Sequence, residues 1–291
     1  MECRVNVINM PQRNIHYTSD ATRFNSVDDF LSFDGPLRGL IEISHGLPIH
    51  LYFRNRNSDV TFVSFAAALG VKRVRELPFF GGMSTSSHLH ANSILISDPS
   101  LILSHRLGLG WYAGSCLQED LQRTLTIILK KLTRNSRVVF FGASGGGYAA
   151  LEQAVHFESS TVLASNPQVD IRKSPSFKNY AKIAWGSSQE DIVNPPIVYQ
   201  VLDDYSQPTS VRVVYLQNLG DAVHVDKHWR PFTASSHPSN KVLSLTPMLG
   251  KGHVGPDKQS FRKLFSTVTE TPNWQKLCAK LNALEVTRNG V

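Results

Sequence analysis

RVVFFGASGGGYAA, residues 137–150, reads as a buried strand that turns into a helix within a few residues. Arg137 to Phe141 is a short, apolar, β-rich run, and Gly142-Ala143-Ser144-Gly145-Gly146 is a G-x-S-x-G turn. A serine at such a turn is bent so sharply that side chains on its neighbours would strike the strand or the helix. Glycine at 142, 146 and 147 removes those collisions. The helix that follows points its unpaired N–H groups and positive end at the serine, where an oxyanion would form. Ser144 is therefore the candidate nucleophile.

On either side of this stretch, short β-branched runs recur at 60–66, 93–97, 160–165, 211–217 and 241–246. Helical patterns lie between and after them. Leu117, Leu121, Leu125, Ile128 and Leu132 recur at helical spacing over 117–132, and 147–157 continues from the serine turn. Two more helices are expected at 256–268 and 272–284, each led by a proline suited to a first turn. This alternation predicts an α/β fold with a mostly parallel sheet flanked by helices. GLIEISHGLPIHLYFRN at 39–55 predicts an antiparallel hairpin on the sheet edge. The organisation expected is a β extension over 1–55 packed on a main domain over 56–291, with a helical lid insert at 171–210.

A nucleophilic serine needs a histidine base, and the histidine needs a carboxylate to hold its tautomer and stabilise its cation. After an elbow of this kind the acid and then the base follow on loops beyond later strands. Asp221 lies four residues past the run 211–217 in QNLGDAVH, and His253 lies past 241–246 in PMLGKGHVGP. Asp226 is the main competitor for the acid. The oxyanion hole is expected from the Gly145 N–H and one from Ala67 or Ala68, in FAAALG after the run 60–66. His224 and His228 are four apart, a spacing that can bind metal on a helix. Valine stands at 225 where H-E-x-x-H needs glutamate, and no third ligand is evident, so no metal is expected and His224 is assigned to substrate contact or to packing around the acid loop.

Composition narrows the partners. Lys and Arg exceed Asp and Glu by 30 − 23 = +7, which favours an anionic glycan or a phosphate-bearing acyl donor, although the basic residues are dispersed and do not interleave with aromatics. Nucleic-acid binding is not expected. Cys3, Cys116 and Cys278 are odd in number, scattered and without a C-x-x-C, and read as reduced thiols. With no apolar stretch of about 20 residues and no charged-then-apolar leader, a cytoplasmic address is expected.

Over about 60–268 the sequence resembles the α/β-hydrolase superfamily, with Ser144, Asp221 and His253 at its triad positions. It is most similar to a bacterial group whose elbow reads GxSGGGF/Y-A-A-L, here GASGGGYAAL, with SDPSL at 97–101, WYAG at 111–114, NPQVDI at 166–171 and QNLGDAVHVDKHWRPF at 217–232. That group includes an acetyltransferase component of accessory secretion systems and enzymes that O-acetylate capsular polysaccharide. The resemblance implies an esterase or acyltransferase acting through an acyl-enzyme, with O-acetyl transfer on a carbohydrate leading and deacetylation or small-ester hydrolysis as the alternative. It implies no required cofactor, acetyl-CoA as an acyl donor, and peripheral association with a membrane-bound polysaccharide or secretion assembly. Trp111 and Tyr112, with Trp185, would then form a sugar platform or acyl-pocket wall. A catalytically silent hydrolase-fold binding module is the reading from another class.

Overall fold

The computed structural model describes residues 14–15, 20–69, 76–186 and 197–288. Nine strands form its main sheet: β1 Thr22–Phe24, β2 Gly39–His45, β3 Leu47–Arg54, β4 Val60–Phe65, β5 Asn92–Ile96, β6 Arg137–Ala143, β7 Thr161–Ser165, β8 Arg212–Leu216 and β9 Lys241–Leu245. Their order is β9-β8-β7-β6-β4-β5-β3-β2-β1. The β2–β3 hairpin and the β3–β5 pair are antiparallel, and the remaining pairs are parallel. All six β-runs read from the sequence beyond residue 59 are strands. Val-Val-Phe-Phe in β6 is continuously apolar because the sheet is covered on both sides. Successive side chains point to opposite faces. Phe140 joins Phe65 and Phe157 on one face, whereas Phe141 packs with Phe62 and Phe265 on the other.

The helices are α1 Val27–Ser32, α2 Leu121–Leu132, α3 Gly145–Ala154, α4 Phe177–Trp185, α5 over 222–235, α6 Lys258–Glu270 and α7 Trp274–Asn282. Three starts differ from expectation. Helix α2 begins at 121 because Ser115 and Gln118 bridge in a turn and the Gln118 amide donates to Leu47 O, which leaves Leu117 exposed. Pro256 and Pro272 precede the helices, whose caps are Asp257 and Asn273; these side chains accept from Ser260 N and Lys276 N. The lid expected at 171–210 contains α4 and a short helix Leu202–Tyr205, while 187–196 fall outside the described residues. Helix α5 holds a π-turn at Val225–Trp229, in which Arg230 N–H reaches Val225 O just ahead of Pro231, a residue with no N–H to continue the ordinary ladder.

Cys278 is free but Cys116 is disulfide-bonded, its partner lying outside the described residues. The expectation of three reduced thiols is therefore corrected. No helix among the described residues is long and apolar enough to cross a membrane.

The register aligns the carboxyl ends of the central strands. Phe65 pairs with Gly142, Ala143 with Ser165, Ser165 with Leu216, and Leu216 with Leu245. Everything just past these residues gathers on one rim. Strand order reverses between β4 and β6, the place where open α/β sheets bind ligands.

Candidate active site

Ser144 caps α3 with φ 53° and ψ −118°, a left-handed conformation that a side chain rarely adopts. Its surroundings hold it there. A Cβ on Gly142 would lie 1.9 Å from Gly146 O, and one on Gly146 would lie 2.5 Å from Phe65 O. Gly142→Ala must push the elbow's own backbone aside, and we expect it to lower unfolding free energy by about 3 kcal/mol or more in a denaturant titration. Gly255→Ala, whose Cβ would meet nothing nearer than 3.7 Å, is the matched control and should shift the midpoint little.

Asp221 and His253 meet. His253 Nδ1 lies 2.7 Å from Asp221 Oδ2, across the loops that follow β9 and β8. Asp221 is 3% exposed, and its Oδ1 accepts the backbone N–H of His224 at 3.2 Å. Burial works against its charge, but the hydrogen bond from His253 and the polar contacts from His224, among them its backbone N–H, outweigh burial and hold the carboxyl below its ordinary range. Asp226 is elsewhere: it is exposed and paired with Arg230 at 2.5 Å.

Ser144 Oγ and His253 are not joined by a hydrogen bond among the described residues. A short relay of hydrogen bonds links the segments that carry them. Ser144 N–H donates to Ser165 O at 3.0 Å, and Asn166 Nδ2 donates to Val254 O at 2.8 Å, one residue past His253. Such couples often tighten only once substrate is bound.

Two asparagines that carry no role in the sequence reading tie the rim together. Asn166 Oδ1 accepts Asn218 N–H at 2.7 Å. Asn218 Nδ2 donates to Gly250 O and Gly252 O, and its Oδ1 accepts Gly220 N–H and Leu249 N–H. Asn166 thereby locks the loop after β7 to those of Asp221 and His253. The signal was present in NPQVDI and QNLGD, but amide networks have no spacing rule to read.

For an oxyanion, α3 offers the Gly145 N–H, which heads the helix and has no intrahelical partner. Among the described residues no acceptor meets the N–H of Ala67 or Ala68, whereas their neighbours Ala66 and Leu69 donate to Tyr112 Oη and Gly108 O. Ala67 is half-buried and Ala68 exposed.

The aromatic platform is corrected. Trp111 is fully buried and Tyr112 is 2% exposed, so neither offers a face to a sugar. They work from behind. Tyr112 Oη donates to Ile96 O and receives Ala66 N–H, fixing the β4 loop. Trp111 Nε1 donates to Gln168 Oε1, and Gln168 N–H holds Ser144 O at 3.1 Å. Trp185 is half-buried and donates to Tyr180 Oη.

His224 also lies inside rather than toward substrate, 9% exposed, with its ring stacked on that of His253 at 4.0 Å between centroids and 19° between planes. Asp221, His224 and His253 offer ligand atoms within 4.8 Å of one another. A coordinated ion must lie near the plane of each imidazole that binds it. Two rings face to face share no such nearby point, so this group is two imidazoles on one carboxylate rather than a metal cage.

His228, 2% exposed, accepts Val169 N–H at Nδ1, which requires a neutral acceptor nitrogen. Burial first, and then His224, bring its pKa from 6.5 down to about 3. The unfolded chain takes up this proton near pH 6.5 and the folded chain does not until about 3. Stability is therefore intact above pH 6.5 and falls as pH drops below it, by about 1.4 kcal/mol per unit for this ring. Burial shifts His224 and His50 in the same direction. Denaturation midpoints are expected to decline steadily from pH 7 to pH 5; a flat profile would contradict the buried neutral rings.

No family profile matches the sequence, and no curated protein does. Solved structures do. The capsule O-acetyltransferase of Neisseria meningitidis serogroup A superposes with TM-score 0.61 at 14% identity, covering 83% of this chain and 99% of that one. A histidine-to-alanine mutant of that enzyme in complex with CoA gives 0.59 at 15%, covering 82% and 98%. An S-formylglutathione hydrolase from Agrobacterium tumefaciens gives 0.52 at 10%, covering 84% and 98%. Likeness at this identity concerns the fold, which is that of the α/β-hydrolases.

Proposed function

We propose that this α/β-hydrolase-fold protein transfers acyl groups through an acyl-enzyme on Ser144, with O-acetylation of a carbohydrate as its reaction. The observation that carries the reading is the Asp221–His253 couple, 2.7 Å long with its carboxylate buried, on the rim where a strained serine heads a helix. His253 Nε2 takes the Ser144 proton as Oγ attacks the acyl carbonyl, and Asp221 stabilises the imidazolium. Gly145 N–H and that of Ala67 or Ala68 receive the oxyanion. Collapse expels the leaving thiolate or alkoxide, which recovers the proton from His253. A sugar hydroxyl then gives its proton to His253 and attacks the acyl-enzyme, releasing the ester and free Ser144.

The same residues serve hydrolysis when water resolves the intermediate. Transfer is favoured here because superpositions at about 0.6 are with an O-acetyltransferase, one of them in complex with CoA, and because the chain's +7 charge suits an anionic glycan or CoA. The test is incubation with acetyl-CoA, with and without acidic oligosaccharides, followed by mass analysis of the glycan. Gain of acetyl mass supports the reading, and loss of acetyl from a pre-acetylated glycan would redirect it to deacetylation. No turnover of either and no labelling by a fluorophosphonate would leave a silent binding module.

A further inference from the structure

His224 has no duty in that mechanism, yet it occupies a costly position. Among the described residues neither of its ring nitrogens has a hydrogen-bond partner, although the ring is nine-tenths buried. A buried donor left in this way is normally selected against unless it serves something else. Its Nδ1 lies 2.9 Å from Asp221 Oδ2, the same oxygen that faces His253 Nδ1, but is not aligned to it as a hydrogen bond. Its ring covers one face of His253.

The groups around it are few. Asp221 precedes it on the same loop, Lys227 and His228 follow on α5, and His253 faces it from the loop after β9. Asp170 and Lys173 act on His228, and Lys173 reaches Lys227 O. One carboxylate thus serves two stacked imidazoles: once one ring is charged, its repulsion cancels most of the carboxylate's attraction for a second cation, and burial of the His224 ring then opposes the second charge.

We propose that His224 is a positioning residue that shares Asp221 with His253, so that the two rings carry at most one positive charge between them, while its stacked face keeps the His253 ring in line for Ser144. The proposal rests on the reading of His253 as the base. During acylation the proton taken from Ser144 adds the single positive charge the pair admits, and that charge resides on the ring hydrogen-bonded to Asp221. His224 stays neutral and stops the charged ring from rotating out of line.

Two variants separate packing from proton sharing. His224→Ala removes the stacked face, and kcat should fall about 10- to 100-fold with KM within about twofold, the signature of a misaligned group rather than weakened binding. His224→Phe restores the face but neither nitrogen. It should recover about tenfold in kcat over the alanine variant, while the acid limb of kcat/KM moves to higher pH because Asp221 then serves one imidazole. Unchanged kcat in a folded His224→Ala protein, or an acid limb that does not move in His224→Phe, would overturn the proposal. An NMR titration of the imidazole signals in Ser144→Ala protein reads the sharing without catalysis. One proton taken up by the pair between about pH 8 and pH 5 supports it, and two independent protonations overturn it. If the pair takes one proton but no acyl compound is turned over, the sharing stands and the acyl-transfer reading falls.

Discussion

Ser144→Ala is expected to cost at least about 10⁴-fold in acyl-transfer rate, equivalent to about 5 kcal/mol of transition-state stabilisation. The loss is large because the hydroxyl is the atom that forms the covalent intermediate, and neither His253 nor the N–H groups facing the oxyanion can replace it. Stability should move by only about 0.5 kcal/mol, since the Ser144 side chain makes no cap bond to α3 and alanine inherits the same positive φ. A rate lost without stability lost is what distinguishes a reacting group from a packing one. Steady-state kinetics with 4-nitrophenyl acetate, fluorophosphonate labelling and a denaturant titration on the same preparation check both halves. Labelling that persists in the variant would remove Ser144 from the mechanism.

Asp221→Asn should reduce kcat by about 10³- to 10⁴-fold with KM little changed. An asparagine keeps the size but loses the charge that stabilises protonated His253. Its amide can also present N–H to His253 Nδ1, which forces the proton to Nε2 and leaves the base with nothing to accept. The companion Asp226→Asn should stay within about twofold of wild type, because Asp226 is solvated and its surface pair with Arg230 contributes little. Equal losses in the two variants would refute the choice of acid.

The strand–turn–helix at 137–150 and the strands flanking it were legible because a parallel sheet buried on both faces demands short, wholly apolar runs, and the elbow needs glycine at 142, 146 and 147 around its serine. The order of Asp221 and His253 was legible for a similar reason: each follows a strand that could be counted. The boundaries of α2 and of the two C-terminal helices were less so. Helical periodicity extends through Leu117, but a backbone bridge at Ser115 and Gln118 claims that turn first.

Trp111, Tyr112 and His224 show where linear reading stops. Their chemistry suits a substrate surface, and only packing reveals that they face inward: the two aromatic polar tips anchor backbone and a glutamine beside the serine, and the imidazole lies under another ring. The choice between Asp221 and Asp226 likewise belonged to the structure, because both closely follow β8 and only the turn into α5 decides which one faces His253.

By itself the chain's order of residues determined the sheet, the strained serine and the short list of groups able to act with it, since backbone sterics and strand burial are enforced locally at each position. Tertiary structure alone decided which acid meets the histidine, and which aromatic rings and imidazoles are buried behind the site. Those outcomes depend on distances between loops some 30 residues or more apart, joined by the Asn166 and Asn218 amides, and no local preference encodes them.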